Sequence, residues 1–232
     1  MCGRFILISP GRVLAAQFEL QHEPELTPRY NVAPTQQVPI IKIETSGGRQ
    51  LEMLKWGLLP FWTKDASIST RLINARSETL SEKPAFRAAF RSRRCLIPSN
   101  GFYEWMKEKG KKQPYLFKLT DGSLFAFAGL WERWESKDGV GIESCTIITT
   151  DANELVQPLH DRMPVILKNK DYALWLNPMA KWELLQPLLI PYSSEEMNSY
   201  PVSPKVNKAT YDSPEGIEPT FREGSESQSL GR

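Results

Sequence analysis

The sequence predicts an α+β domain built on antiparallel β-hairpins, with helices gathered at its two ends rather than alternating with strands. Three observations carry this. Short apolar runs crowd the middle of the chain, from Cys95 to Thr150. Turn sequences separate them at hairpin distances, Asp121-Gly122 being the strongest signal. Helical spacing of apolar residues occurs only before Leu20 and after Ala152. The 232 residues suit one domain with a sizeable core, predicted to span residues 2–211.

Taken in order, Phe5–Ile8 is a short strand candidate behind Met1-Cys2-Gly3-Arg4. Pro10-Gly11 leads into Arg12–Leu20, where Val13, Leu14 and Phe18 recur at helical spacing and predict a short amphipathic helix. Prolines 24, 28, 34 and 39 then punctuate the chain. Val38–Ile43 reads as a strand, and Leu51–Gly57 as another behind the Ser46-Gly47-Gly48 turn. Leu58 to Asn74 lacks periodicity and reads as a long loop, a kind of segment more often kept for function than for packing. Cys95–Pro98, Gly101–Met106 and Pro114–Leu119 follow as strands, the last two flanking the Lys107–Gln113 turn. Asp121-Gly122 is predicted to pair Tyr115–Leu119 with Leu124–Trp131, and Lys137-Asp138-Gly139 to pair that strand with Ser144–Thr150, making a meander. Helices are predicted at Ala152–Leu159, Lys170–Leu176 and Met179–Leu188, with a strand at Met163–Leu167.

Composition narrows the classes of function. With 41% hydrophobic and 24% charged residues, the chain reads as an ordinary globular protein. Cysteines at 2, 95 and 145 make no disulfide framework, which points to a reducing compartment. Those cysteines and the two histidines, His22 and His160, have no metal-ligand spacing, so no metal and no cofactor are predicted. The opening apolar run is too short for a signal peptide and nothing approaches a membrane span, so a cytoplasmic location is expected, nucleoid-associated in a bacterium or nuclear in a eukaryote. The net charge of +2 is an average. From Asp212 to Arg232 the chain carries five acids and two bases with few apolar residues, and is read as a disordered acidic tail. Between Arg71 and Cys95 lie seven bases against two acids, which is either a solvated helix face or a phosphate-binding surface.

Cys2 is the residue with the most unusual chemistry. Removal of Met1 would leave it as a free N-terminus, a 1,2-aminothiol with two nucleophiles on neighbouring carbons. An α-amine has an unperturbed pKa of about 7.7–8.0, and the adjacent ammonium should ease ionisation of the thiol. Such an amine attacks an aldehyde to give a Schiff base, which the thiol can close into a thiazolidine ring.

Seven segments, in order, resemble one family. They are Met1-Cys2-Gly3-Arg4-Phe5, Arg29-Tyr30-Asn31-Val32-Ala33-Pro34-Thr35-Gln36, Trp56-Gly57-Leu58-Leu59-Pro60 and Asn74-Ala75-Arg76-Ser77-Glu78. Arg94-Cys95-Leu96-Ile97-Pro98 with Gly101-Phe102-Tyr103-Glu104-Trp105, then Phe127-Ala128-Gly129-Leu130-Trp131, and His160-Asp161-Arg162-Met163-Pro164-Val165 complete the set. Together they are similar to the SRAP family, the SOS response-associated peptidase domain. The resemblance implies a compact, barrel-like α+β fold with a basic groove leading to the cysteine. It also implies binding of single-stranded DNA, or of a single-strand/double-strand junction, and covalent trapping of abasic sites through Cys2, with Asn74, Glu104 and His160 in support.

These residue types suit that chemistry. Imine formation needs one proton taken from the amine and one given to the departing hydroxyl, and a carboxylate beside an apolar wall can be tuned towards neutrality for both. Glu104 is the candidate, on a strand whose other face carries Tyr103 and Trp105. His160 is assigned to opening the sugar ring, and Asn74 to holding the amine or the sugar. Arg4, Arg76 and Arg162 are the motif-borne candidates for DNA phosphates, with Arg71 and, more weakly, Arg87, Arg91 and Arg94 beside them. Trp62 is expected as a base-stacking platform, whereas Trp105, Trp131 and Trp175 are expected in the core. Cys95 and Cys145 read as buried small residues and His22 as surface. A monomer without a membrane partner is expected. Three further readings stay open: a thiol autopeptidase that removes Met1, a weak lyase acting through the Schiff base, and a non-covalent reader of single-stranded or modified DNA.

Overall fold

The structure, a computed structural model, describes residues 2–220 except 45, 46, 109 and 137. Turn apices expected at Ser46, Lys109 and Lys137 therefore lie outside the described residues, as does the chain after Thr220. The first strands are β1 (Phe5–Leu7), β2 (Arg29–Val32), β3 (Gln37–Ile43) and β4 (Arg49–Trp56). Next come β5 (Asn74–Arg76), β6 (Arg94–Ser99), β7 (Gly101–Glu108) and β8 (Lys111–Leu119). Two long strands, β9 (Phe125–Glu135) and β10 (Gly141–Asp151), precede β11 (Arg162–Pro164), β12 (Ile166–Leu167) and β13 (Met197–Pro201). The helices α1 (Gly11–Phe18), α2 (Arg87–Ser92), α3 (Tyr172–Leu176) and α4 (Trp182–Leu185) are short and peripheral.

Two sheets form the body. In the larger one, β10, β4, β3, β6 and β9 pair in that order and β9 pairs back onto β10, closing a five-stranded barrel. The β10–β4 contact is parallel and the other four are antiparallel. β5 adds to β10 in parallel, placing Asn74 opposite Ile147. The smaller sheet runs β13-β8-β7-β1-β2 and is antiparallel throughout. Phe5 of β1 links the two layers: its ring lies 5.3 Å from that of Trp56 and 5.8 Å from that of Phe127, both on barrel strands. Ring pairs at such separations add to the area they bury, so β1 is held by core packing as well as by its ladder.

The α+β class and the β9–β10 hairpin agree with expectation, but the meander does not hold. Asp121-Gly122 turns the chain, with Gly122 at a φ of +70°, yet β8 and β9 do not pair. The free edge of β8 is taken by β13, where Tyr200 faces Leu116. β9 instead joins the barrel, its Phe125 to Leu130 segment running beside β6. A turn dipeptide dictates a local reversal only, and burial on both faces of the apolar β6 and β9 strands decides the partner. The helix predicted over 152–159 is a run of turns. The Asn153 side chain accepts the Val156 N–H at 3.0 Å, and Pro158 has no N–H to donate. The other two predicted helices shrink to α3 and α4, each continued by 3₁₀ turns.

The expected boundary at Asp212 is also displaced. The Asp212 carboxylate accepts the backbone N–H groups of Tyr30 and, at 3.0 Å, Asn31, and pairs with the Arg29 guanidinium. Thr220 still donates its N–H to Pro201 O at 2.8 Å, so the ordered body extends at least that far.

The chain crosses from barrel to small sheet at Ser99–Gly101, where space is tight. A Cβ on Gly101 would lie 2.7 Å from the Phe117 carbonyl oxygen, closer than real Cβ atoms come. Gly101→Ala should therefore lower the unfolding free energy by about 1–3 kcal/mol, read from urea titration. An unchanged midpoint would mean that the two sheets slide apart at little cost.

Candidate active site

The site is assembled by the start of the chain. β1 is an inner strand of the small sheet, between the edge strand β2 and β7, with Phe5 opposite both Val32 and Phe102. Pairing continues one residue towards the N-terminus, where Tyr103 donates its N–H to Arg4 O at 3.0 Å. Cys2 and Gly3 are thereby delivered beside Glu104 on β7. Cys2 is fully buried, and burial together with the nearby Glu104 carboxylate pushes its thiol pKa well up. In the chain that still carries Met1 the sulfur is therefore held as a neutral S–H, whereas the easily ionised thiol was expected of the free N-terminus. Glu104 is itself only 3% exposed, and desolvation raises its carboxyl from the ordinary 4.5 to about 7. The dry face that the sequence left unsettled is present.

Above these two residues opens a cleft of about 860 Å³, with Gly3, Arg4, Glu104, Trp105, His160 and Asn207 among its walls. Arg4 Nη1 donates to Asn31 Oδ1 at 3.0 Å and to Val206 O at 2.9 Å, fixing a guanidinium at the rim. His160 reaches the cleft from the turn before β11. Its Nδ1 lies 2.9 Å from Arg162 N and 2.7 Å from Asp161 Oδ1. One nitrogen cannot serve both partners at once. The neutral ring accepts the Arg162 N–H, while the protonated ring donates to Asp161, so the imidazole keeps a partner in either charge state.

The remaining candidates lie outside the cleft walls. Asn74 sits on β5, and neither its Oδ1 nor its Nδ2 has a hydrogen-bond partner among the described residues although both atoms are buried. An amide left in that state costs about 1–3 kcal/mol until something pairs with it. Arg71 and Arg76 are exposed, as are Arg87 and Arg91. Trp62 is 48% exposed and its indole N–H reaches Pro84 O at 3.3 Å, while Phe61 beside it is 57% exposed and was not singled out from sequence.

Two arginines depart from their expected role in binding DNA. Arg162 is buried, with Nη1 and Nη2 clasping both Glu78 oxygens at 2.7 and 3.0 Å and reaching Asp151 and Thr149 O. Burial pushes the Glu78 carboxyl up, but the Arg162 bonds prevail and hold it below the usual range. Arg162 therefore ties the Asn74–Glu78 motif to the His160–Val165 motif. Arg94 is likewise buried, donating to the carbonyls of Trp175, Phe90, Arg91 and Asn177. Trp105, expected in the core, is a cleft wall, whereas Trp175 is fully buried as expected. Asn31 and Asn207 were missed. Asn31 stands inside a quoted motif, but nothing local announced that its Oδ1 would accept from Arg4 while its Nδ2 sits within hydrogen-bond distance of three carbonyls of the returning chain.

The fold and site define a barrel protein that presents the second residue of its chain, a cysteine, to a buried carboxyl at the floor of a cleft. Residues 1–209 match the family described as SOS response associated peptidase (SRAP). The chain belongs to the SRAP family. It is 47% identical over 223 residues to the abasic site processing protein YoqW of Bacillus subtilis, covering 94% of this chain and 99% of that protein. A yeast relative, the abasic site processing protein YMR114C, is 31% identical over 88% of this chain and 56% of its own. A crystal structure of a Bacteroides thetaiotaomicron protein superposes with a TM-score of 0.86 at 30% identity, covering 95% of this chain and all of that one. Among the described residues no cluster of metal-ligating side chains occurs, and no helix is long and apolar enough to cross a membrane.

The raised Glu104 pKa gives a stability signature. Between pH 4.5 and about 7 the folded chain keeps a proton that the unfolded chain has released, so stability falls as pH rises through that window. Glu104→Gln removes the penalty. The variant should match wild type near pH 4.5 and exceed it by on the order of 3 kcal/mol at pH 8 in urea titrations. Equal stability at both pH values would show that the carboxyl is solvated.

Proposed function

We propose that this protein processes abasic sites in DNA by trapping the ring-opened sugar on Cys2. The observation that carries the reading is Glu104, buried and tuned to about 7, beside Cys2 beneath the cleft. A carboxyl poised there holds and releases a proton with nearly equal ease at neutral pH, which is what imine formation asks of one group. The relatives' names as abasic site processing proteins support the same reading.

The amine of Cys2 is tied up in a peptide bond until Met1 is removed. Once free and neutral, it attacks the C1′ aldehyde of the opened deoxyribose, and Glu104 takes the proton the nitrogen loses. That proton passes to the aldehyde oxygen to make the carbinolamine; the second N–H proton then follows the same route through Glu104, so that the hydroxyl leaves as water and the imine forms. Because burial keeps the thiol neutral, the amine leads and the sulfur follows: the S–H adds across the C=N bond, its proton passing to nitrogen, and closes the thiazolidine. His160, partnered in both charge states, suits the proton transfer that opens the sugar ring. The unsatisfied Asn74 amide is ready to take a hydrogen bond from amine or sugar. Exposed Arg71 and Arg76, with Arg4 at the rim, offer charge for the flanking phosphates of a single strand or a junction, and Trp62 offers a face for an unstacked base. One chain carries the whole set, so a monomer suffices. A thiol peptidase reading finds less support, since a protonated buried sulfur is a poor attacking group.

Incubation with an abasic single-stranded oligonucleotide should yield an adduct that survives denaturation with wild type and none with Cys2→Ala. Glu104→Gln should slow its formation by about 10²-fold and flatten the pH dependence around 7. An adduct formed equally by Cys2→Ala would sink the mechanism.

Cys2→Ala should retain DNA affinity, whereas Arg76→Ala should weaken it and reduce the slope of log affinity against log salt by about 0.7. If that slope is unchanged, Arg76 does not meet a phosphate.

A further inference from the structure

The returning C-terminal segment does more than finish the fold. After β13 the chain runs along the open end of the small sheet through a 3₁₀ turn, Pro204–Asn207, and brings Asn207 into the cleft wall. There the Asn207 amide makes two bonds. Its Oδ1 accepts the Trp105 indole N–H at 2.6 Å, and its Nδ2 donates to the Lys112 carbonyl at 3.2 Å, so it ties β7 to β8 at the mouth. Trp105 lies beyond β1: among the described residues, the last backbone bond across that edge is the one between Tyr103 and Arg4. Its ring shares the cleft with Glu104, and the Arg4 guanidinium lies 6.0 Å from its centroid. The segment is itself anchored on both sides of Asn207. Asn31 Nδ2 lies within hydrogen-bond distance of the carbonyls of Val206, Lys208 and Tyr211, and Asp212 caps the start of β2.

We propose that Asn207 is a positioning residue that locks the Trp105 ring as a fixed wall of the DNA cleft, making the returning segment part of the binding site. The inference rests on the reading of the cleft as a DNA site. An indole with its N–H fixed in advance loses less freedom when a sugar or base packs on it. Immobilising a side chain of this kind costs affinity by about two- to tenfold if it has to be done on binding. Asn207 is exposed and its truncation removes no buried packing, so the effect should appear in binding rather than in folding.

The test is a double-mutant cycle of Asn207→Ala against Trp105→Phe, which keeps a ring and removes the indole N–H. Binding of a fluorescent abasic single-stranded oligonucleotide is followed by anisotropy, and adduct formation as a function of DNA concentration. Asn207→Ala should raise both the dissociation constant and the half-saturating concentration about two- to tenfold. It should leave the rate at saturating DNA and the thermal midpoint near wild type. In the Trp105→Phe background it should add less than about 1.5-fold, because its partner is gone. An equal fold-effect in both backgrounds, or none in either, overturns the inference. Failure of wild type to bind or react would instead overturn the proposed function, so the two failures are told apart.

Discussion

The pairing of β1 between β2 and β7 is the contact on which the arrangement of the cleft depends. Three residues make that strand, yet it is flanked on both edges and carries Phe5 into the aromatic core shared with the barrel. A chain terminus is ordinarily the loosest part of a domain. Here the opposite holds, because residue 2 has a fixed address only if the residues after it are fixed. The Tyr103–Arg4 bond extends the ladder to within two residues of Cys2 and sets Glu104 beside it.

That placement determines the electrostatics. Burial acts in the same direction on both groups, favouring the neutral thiol and the neutral carboxyl. The two also reinforce one another, since a charge on either would raise the cost of a charge on its neighbour. The result is a neutral thiol beside a carboxyl poised near half-ionisation at neutral pH, rather than an activated thiolate. At the rim above them Arg4 is held by Asn31 and Val206, which fixes a positive charge there.

The family motifs divide into those that line the cleft and those that brace the fold around it. Arg162 and Glu78 come from motifs 84 residues apart and form one bidentate pair. Arg94 serves four carbonyls around α2 and α3. Of the seven basic residues between Arg71 and Cys95, Arg94 is thus internal and Arg93 is paired with Glu132, while Arg71, Arg76, Lys83, Arg87 and Arg91 remain exposed. A count of charges along a chain registers all seven alike. Only the fold separates the ones that can meet a phosphate.

Hydrophobic period and turn chemistry were enough to read the α+β class, the long β9–β10 hairpin and the buried Cys95 and Cys145, because each is a local property of its own segment. The motifs likewise marked Glu104 and His160, which the fold brings to one cleft. Partner choice was not local. Asp121-Gly122 specified a reversal, but whether β8 met β9 or β13 was set by which edges could be buried together. The same holds for Trp105, whose apolar character suited a core position until Asn207, 102 residues later in the chain, met its N–H at the cleft wall. The dryness around Glu104, the pairing of Arg162 and the bond from Asn207 all arise from groups far apart in sequence. Desolvation and hydrogen-bond satisfaction depend on what surrounds a residue in space, which is fixed only when the chain has folded.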